Sequence, residues 1–96
     1  MSDTPVRSTV RSCLRKFLDS TGRTNVEFRE NSHLIRDLGL SSDEGVDFVL
    51  DLCSALRVEL PQDFNPFIHE SGDRGRRVSE MIERVEHLVA KAGTAA

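Results

Sequence analysis

The chain has 96 residues, of which 38% are hydrophobic and 30% are charged, proportions typical of a folded domain and not of a disordered or fibrous chain. Its net charge of −3 disfavours nucleic acid as a partner, because that affinity depends on neutralising phosphates. Its longest apolar runs, such as residues 48–50, are far shorter than the roughly 20 residues that span a bilayer, so no membrane partner is expected.

The first predicted helix runs from about residue 3 to residue 22. Asp3 or Thr4 can cap its start, and Gly22 marks its end. Apolar residues recur along it at helical spacing, and they are Val6, Val10, Leu14, Phe17 and Leu18. Residues 23–41 show no sustained period. Because connections of this length are uncommon unless they are packed or functional, we expect their apolar side chains to enter the core.

The second predicted helix runs from about Ser42 to Leu56. Ser41 stands three residues before Glu44, which is the spacing of a capping box, and this places Ser42 in the first helical turn. An apolar stripe predicts the buried side of this helix. That side is expected to hold Val46, Val49, Leu50, Cys53 and Leu56, widened by Phe48 and Leu52.

Two further elements are predicted after Pro61. Residues 64–68 indicate one short helical turn or loop that covers the core. The last helix takes residues 78 to about 93, with apolar residues on one face. On its exposed face Glu80 and Arg84 have the spacing of an ion pair.

No strand is predicted, and each helix is too short to be stable alone. The fold class is therefore all-α, a small four-helix bundle made of three main helices plus a short third helix, with a long first loop. We expect a single domain over residues 1–96, with an ordered core at about 4–92 and a short flexible tail at 93–96. A polar start without an apolar signal segment favours a cytoplasmic location.

Cysteine and histidine residues give no sign of a catalytic or metal site. Cys13 and Cys53 lie inside apolar patterns and are expected to be small core residues, not a disulfide framework or a zinc site. The histidines lie in separate segments without metal-ligand spacing, and they are His33, His69 and His87. Nucleophile elbows and phosphate-binding glycine loops are absent. We therefore expect neither a bound metal nor enzyme activity.

Arginines form two clusters, one at successive turns of the first helix and one before the last helix. Their members are Arg7, Arg11 and Arg15, and Arg74, Arg76 and Arg77. We interpret both clusters as solvated faces. Nucleic-acid binding is a weaker alternative, because the only aromatic residues are phenylalanines whose positions fit the core.

The second helix carries an acidic stripe, which we define as Asp43, Asp47 and Asp51, with Glu44 beside it. Like charges at this spacing slightly destabilise an isolated helix, so helix stability alone does not explain the stripe. Two interpretations stay open. The stripe steers basic partner proteins to the serines at its N-terminal end, or it only keeps an exposed face in water.

The segment DLGLSSDEGVDFV at residues 37–49 resembles the centre of an acyl carrier protein. That family has an Asp-Leu-Gly-x-Asp-Ser-Leu segment, then an acidic helix, then a short extended turn that ends in proline. An ungapped match places Ser42 on the family's modified serine and Asp47 on a position that is usually acidic. Residues 58–61 fall on the family's turn.

The match is good over about residues 24–61, and it extends to the flanking helices only in outline. Two positions differ from the family pattern, since Ser41 stands in place of its aspartate and Asp43 in place of its leucine. Of the family's most specific triplet, one of the three residues, Ser42, is in place.

The resemblance implies an acyl carrier protein-like function. Ser42 would carry 4′-phosphopantetheine, transferred from coenzyme A by a phosphopantetheinyl transferase, and its terminal thiol would hold an acyl or aminoacyl group as a thioester. The other partners would be acyl-transferring synthase or ligase enzymes of fatty acid or polyketide biosynthesis, and the carrier would be a phosphoprotein and a monomer. The docking residues would be Asp43, Glu44, Asp47 and Asp51.

An alternative is an unmodified carrier-like helical module for protein–protein interaction, without a prosthetic group. Its partner would bind the face around Phe64, Phe67 and Ile68, or the arginine clusters. Ser42 would then be only the residue with which the second helix starts.

Overall fold

The computed structural model describes residues 5–61, 63–69, 71–72 and 74–94. It contains the helices α1 (Pro5–Ser20), α2 (Ser42–Leu56) and α3 (Val78–Thr94), and α1 packs against both of the others. Between the helices, the described residues form turns and two isolated bridges but no strand. The prediction of a small all-α bundle is therefore confirmed. None of the helices found in these ranges has the length and apolar character needed to cross a membrane.

The helix boundaries follow the sequence signals closely. α2 has the predicted bounds, and α3 ends within one residue of the predicted position. After α1, Gly22 adopts a φ of +82°, and the Arg23 amide donates to the Leu18 carbonyl at 2.7 Å. This closes the helix end at the predicted stop. The predicted caps Asp3 and Thr4 lie outside the described residues.

Phenylalanines from three segments meet in the core. Phe17 of α1 and Phe48 of α2 have ring centroids 5.3 Å apart. Phe67, which belongs to the connection between α2 and α3, lies 6.0 Å from Phe17 and 5.3 Å from Phe48. Aromatic contacts at these separations add to the free energy gained by burial, so this cluster holds the two segments against α1.

The long first loop enters the core as predicted, through the buried side chains of Leu34, Leu38 and Leu40. Cys13 is also buried in the core, and Cys53 is half-buried and packs against the core. Both cysteines are free thiols. Burial raises the pKa of the Cys13 thiol, which keeps it in the unreactive protonated form. The interpretation of the cysteines as small core residues is confirmed.

The buried face of α2 differs from the predicted one. Phe48 and Leu52 are fully buried and Gly45 is buried with them, whereas Val46 is 61% and Leu50 66% exposed. The prediction of Val46 and Leu50 as buried residues was wrong. Apolar residues occur on more than one side of this helix, and the contacts of Phe48 with the core phenylalanines determine which side faces inward.

Turns make up the connection between α2 and α3 in its described residues, and the predicted short third helix is not present there. Backbone hydrogen bonds hold this connection and the first loop at the start of α3. The Arg76 amide donates to the Phe67 carbonyl at 2.9 Å, and the Arg76 carbonyl accepts the Leu34 amide at 2.9 Å. The Val78 amide donates to the Ser32 carbonyl at 2.9 Å.

Candidate functional site

The start of α2 has the capping box that the sequence predicts. Ser41 is the N-cap residue, with φ −102° and ψ 162°, and its Oγ accepts the Glu44 amide at 3.3 Å. Glu44 Oε1 in turn accepts the Ser41 amide at 2.9 Å. Two backbone donors that a helix start leaves unpaired are thereby satisfied, and the Ser41 hydroxyl is occupied by this role.

Ser42 is the first residue of α2, and its side chain is exposed. Its hydroxyl forms no hydrogen bond within the described part of the chain, while its carbonyl accepts Asn65 Nδ2 at 2.9 Å. The backbone is thus held in place and the hydroxyl is left in water. The unpaired amides and the dipole of a helix start favour a negatively charged group such as a phosphate nearby.

Glu44 is half-buried and is held by an arginine of the first loop. Arg23 Nη1 donates to Glu44 Oε2 at 3.0 Å and Nη2 to Oε1 at 3.1 Å, while Nη2 also donates to the Gly39 carbonyl at 2.9 Å. Burial alone would raise the pKa of Glu44, but the hydrogen bonds from Ser41 and Arg23 outweigh it and lower that pKa below its ordinary value. Glu44 is therefore bound within the fold and is separate from the exposed acidic stripe.

The outward side of α2 combines acidic and apolar side chains. The three aspartates of the acidic stripe are exposed, and among the described residues they form no ion pair or side-chain hydrogen bond. Val46 and Leu50 follow Ser42 at intervals of four residues, so these three lie on one stripe beside the acidic one. We call Ser42, Val46 and Leu50 the apolar stripe. Neighbouring exposed apolar side chains of this size indicate a binding surface more strongly than scattered ones do.

Asn65 is a contact of this site that the sequence did not reveal. Besides donating to the Ser42 carbonyl, its Oδ1 accepts the Phe67 amide at 3.0 Å and its backbone carbonyl accepts Arg76 Nη1 at 3.0 Å. Its side chain lies against Gly45, where an added Cβ would be 2.0 Å from Asn65 Oδ1. The sequence signal was Gly45 itself, since glycine inside a helix costs about 1 kcal/mol and can mark a close approach.

The arginines of α1 are half-buried and bind other parts of the fold, which the interpretation as a solvated face did not anticipate. Arg7 Nε pairs with Glu86 Oε1 of α3 at 3.0 Å, and Arg11 pairs with Glu30 of the first loop. Arg15 donates to three carbonyls of the same loop, at 2.7, 3.1 and 3.1 Å. These side chains connect α1 to its neighbours and are not offered to a phosphate backbone.

Arg76, in the second arginine cluster, is only 3% exposed. Its Nη1 donates to the Asn65 carbonyl at 3.0 Å, and its guanidinium carbon lies 5.2 Å from the centre of the Phe64 ring. A cation over an aromatic face is attracted by the ring quadrupole. Arg76 therefore joins the connection between α2 and α3 from the inside, which the interpretation as a solvated face did not anticipate.

The other two arginines of this cluster are bound near the start of α3. Arg74 donates to Glu80 at 2.9 and 3.1 Å, and Arg77 donates to the Asn31 carbonyl at 2.7 Å. The hydrogen bonds from Arg74 and from the Arg77 amide lower the pKa of Glu80 to about 2. The helical spacing predicted an ion pair between Glu80 and Arg84. In the structure Glu80 pairs with Arg74 instead.

The face proposed for an alternative partner lies largely inside the molecule. Phe67 is fully buried, Phe64 is half-buried against Arg76, and Ile68 is half-buried. None of the three residues is exposed, and Phe64 and Ile68 present only part of their surface to a partner. This location does not suit a ready-made docking surface.

The described histidine, cysteine, aspartate and glutamate side chains form no group of three that could hold a metal ion. Two histidines instead pair with backbone amides, since His33 Nδ1 accepts the Arg36 amide and His69 Nδ1 accepts the Ser71 amide, each at 3.1 Å. Comparisons of the chain with known protein families, with curated proteins and with solved structures found no match.

Proposed function

We propose that the chain is an acyl carrier protein-like carrier in which Ser42 bears 4′-phosphopantetheine. One observation carries the proposal: an exposed serine without a hydrogen bond to its hydroxyl begins a stripe with the exposed Val46 and Leu50, beside unpaired aspartates. A carrier needs an accessible attachment point and a docking surface on the same side of the molecule. This arrangement provides both on one helix.

The residues at the start of α2 fit the phosphate of such a group. The Ser42 hydroxyl is exposed, its backbone is held by Asn65, and the helix dipole is favourable at this end. Ser41, by contrast, uses its hydroxyl in the capping box. When attached, the group supplies a terminal thiol that holds an acyl or aminoacyl group as a thioester, and the protein supplies docking and orientation.

The docking surface in this proposal consists of the apolar stripe and the acidic stripe together. Apolar contact provides affinity once water is excluded, and the aspartates steer basic partners and set their orientation. The partners would be a phosphopantetheinyl transferase and acyl-transferring synthases or ligases. The proposal also includes a monomeric, cytoplasmic carrier with the acyl carrier type of bundle, in which the turns between α2 and α3 replace the short third helix.

An interaction module without a prosthetic group is the second candidate. The same exposed Val46 and Leu50 support it, because an apolar surface binds a partner whether or not Ser42 is modified. The two candidates differ in a single chemical property, the modification of one hydroxyl, so one measurement distinguishes them.

Intact-protein mass spectrometry tests the attachment directly. The chain is incubated with coenzyme A and a broad-specificity phosphopantetheinyl transferase, alongside Ser42→Ala and the matched control Ser54→Ala, which replaces another exposed serine of α2. We expect a mass gain of one phosphopantetheine in the unchanged chain and the control, and none in Ser42→Ala. A gain that persists in Ser42→Ala, or no gain with either this or a host transferase, would contradict the carrier function.

A further inference from the structure

A cavity of about 350 Å³ lies between α3 and the connection that precedes it. Phe64, Ile68 and Leu88 form its apolar wall, and Arg76 and Arg84 are among its polar lining residues. Its volume is near the lower end of the range for small-molecule sites, about 300 to 1,000 Å³. Five of its ten lining residues are polar or charged. Apolar and polar groups side by side suit a small amphipathic ligand, which the polar groups orient.

Arg84 differs from the other polar groups of this cavity because it has a buried donor without a partner. Its Nε is buried and has no hydrogen-bond partner in the described part of the chain. Arg76, in contrast, is held by the Asn65 carbonyl and the Phe64 ring. A buried donor on a charged group is costly when unpaired, and such donors in native proteins usually meet a water molecule or a ligand. Arg84 lines the cavity, and its guanidinium forms no ion pair or hydrogen bond with the described residues. It is therefore the cation of this cavity that the fold leaves without a partner.

The charges around Arg84 favour a ligand with a single negative charge. Asp63 lines the same cavity as the two arginines, Arg76 and Arg84. Glu83 lines a neighbouring depression that both arginines share. These carboxylates repel a doubly charged phosphate ester more than a monoanion, whereas a guanidinium and a carboxylate form strong charge-assisted hydrogen bonds. We infer that the cavity binds a small monocarboxylate, with its carboxylate on Arg84 and its short apolar chain on the apolar wall.

This site is separate from the proposed attachment serine, so it does not require the carrier function. A free carboxylate would bind whether or not Ser42 is modified. The Ser42→Ala variant is accordingly expected to bind the probe with unchanged affinity, and failure of either proposal leaves the other open to its own test.

Titration of the ¹⁵N-labelled chain with sodium hexanoate, followed by NMR, tests the inference. We expect saturable shifts of the Phe64, Ile68 and Leu88 amides with a Kd on the order of 1 mM or lower. Hexanol has the chain without the charge, and acetate has the charge without the chain. Each is expected to bind at least about tenfold more weakly than hexanoate.

Arg84→Met is the decisive variant, because it keeps an apolar stem and removes the guanidinium. We expect at least about a tenfold loss of hexanoate affinity, with unchanged affinity in Arg36→Met, which removes an exposed arginine outside the cavity. Since the unpaired donor is removed, Arg84→Met should fold with unchanged or higher stability. Absence of saturable shifts, equal binding of hexanol, or equal affinity of Arg84→Met would overturn the inference; the hexanol comparison needs no variant to fold.

Discussion

Arg76 and Leu50 have exposures opposite to those that their residue types suggest. Arg76 is 3% exposed beneath the connection between α2 and α3, whereas Leu50 of α2 is 66% exposed. The arginine lies inside because the Asn65 carbonyl and the Phe64 ring replace its contacts with water. The leucine lies outside because Phe48, on the other face of α2, packs into the core. Burial here follows the available partners and not the residue type alone.

The same difference separates the two sets of charges in the chain. The arginines of both clusters donate to carbonyls or carboxylates within the fold, while the aspartates of the acidic stripe have no such partner among the described residues. Charged side chains that have partners within the fold contribute to its stability. Those without such partners can interact with water or with another protein.

Arg76→Ala is expected to have the largest effect, a loss of about 3 kcal/mol in the free energy of unfolding. It removes the hydrogen bond from Nη1 to the Asn65 carbonyl, which keeps only its bond from the Ile68 amide. It also removes the contact with the Phe64 ring and opens a void there. Arg36→Ala, which changes an exposed arginine, should change stability by no more than about 0.5 kcal/mol. Urea unfolding measures both, and a loss below about 1 kcal/mol for Arg76→Ala would contradict its internal role.

Gly45→Ala should destabilise the protein by about 1 kcal/mol, although alanine is normally the better helix residue. The added Cβ would lie 2.0 Å from Asn65 Oδ1, so Asn65 must move and lose its hydrogen bonds to Ser42 and Phe67. Two hydrogen bonds at about 1 kcal/mol each exceed a gain of about 1 kcal/mol in helix propensity. In an Asn65→Ala background the same substitution should be stabilising. A gain in stability for Gly45→Ala alone would show that Asn65 does not hold the start of α2.

Local signals in the sequence predicted the start of α2 well but not its orientation. Ser41 and Glu44 predict the capping box because all of its atoms lie within four consecutive residues. The orientation depends on which apolar residues meet Phe17 and Phe67, and these lie far away in sequence. Because apolar residues lie on several sides of α2, the pattern alone could not show that Phe48 is buried and Leu50 exposed.

The buried arginine and the Asn65 contact could not be predicted for a related reason. Arg76 bonds to a backbone carbonyl, and every residue has one, so no pairing of side-chain types marks the contact in the sequence. Gly45 was a usable sign, because an interior glycine in an otherwise good helix suggests that another group approaches closely. It did not identify Asn65 as that group.

A smaller effect is expected from acid at the ion pair of Glu80 with Arg74. The folded pKa of Glu80 is about 2, against an ordinary value of 4.5. Its stabilisation is therefore fully present above pH 4.5 and is lost as the pH falls toward 2. Because the side chains are 46% (Arg74) and 33% (Glu80) exposed, solvent screening reduces the expected contribution to roughly 0.5 to 1 kcal/mol.

Glu80→Gln should remove this contribution at neutral pH and make the decline of stability between pH 4.5 and 2 correspondingly shallower. Urea unfolding at several pH values measures the effect, and Glu83→Gln, an exposed neighbour on α3, is the matched control. An unchanged pH profile in Glu80→Gln would mean that the pair contributes nothing to stability.

Replacing the exposed apolar residues should leave the fold almost unchanged. Val46→Ala and Leu50→Ala, together, are expected to alter the free energy of unfolding by no more than about 0.5 kcal/mol, because both side chains are already largely in water. If they form the docking surface, modification of Ser42 should slow at least about fivefold. A stability loss above about 1 kcal/mol would instead mean that Leu50 or Val46 packs within the fold.

Reversing Asp47 and Asp51 to lysine should have the smallest effect on stability and the most characteristic effect on partners. Neither aspartate forms an ion pair or side-chain hydrogen bond within the described part of the chain. Burial raises the pKa of the Cys13 thiol, and the negative charge of Asp51 only adds to this effect, so helicity and unfolding should stay nearly constant. Transfer of phosphopantetheine to Ser42 should slow at low salt, and the difference should diminish at high salt as screening weakens steering. Equal rates at low salt would mean that the stripe only keeps its face in water. A slower rate that salt does not reduce would indicate direct contact with these two positions, because long-range attraction is screened by salt and close packing is not.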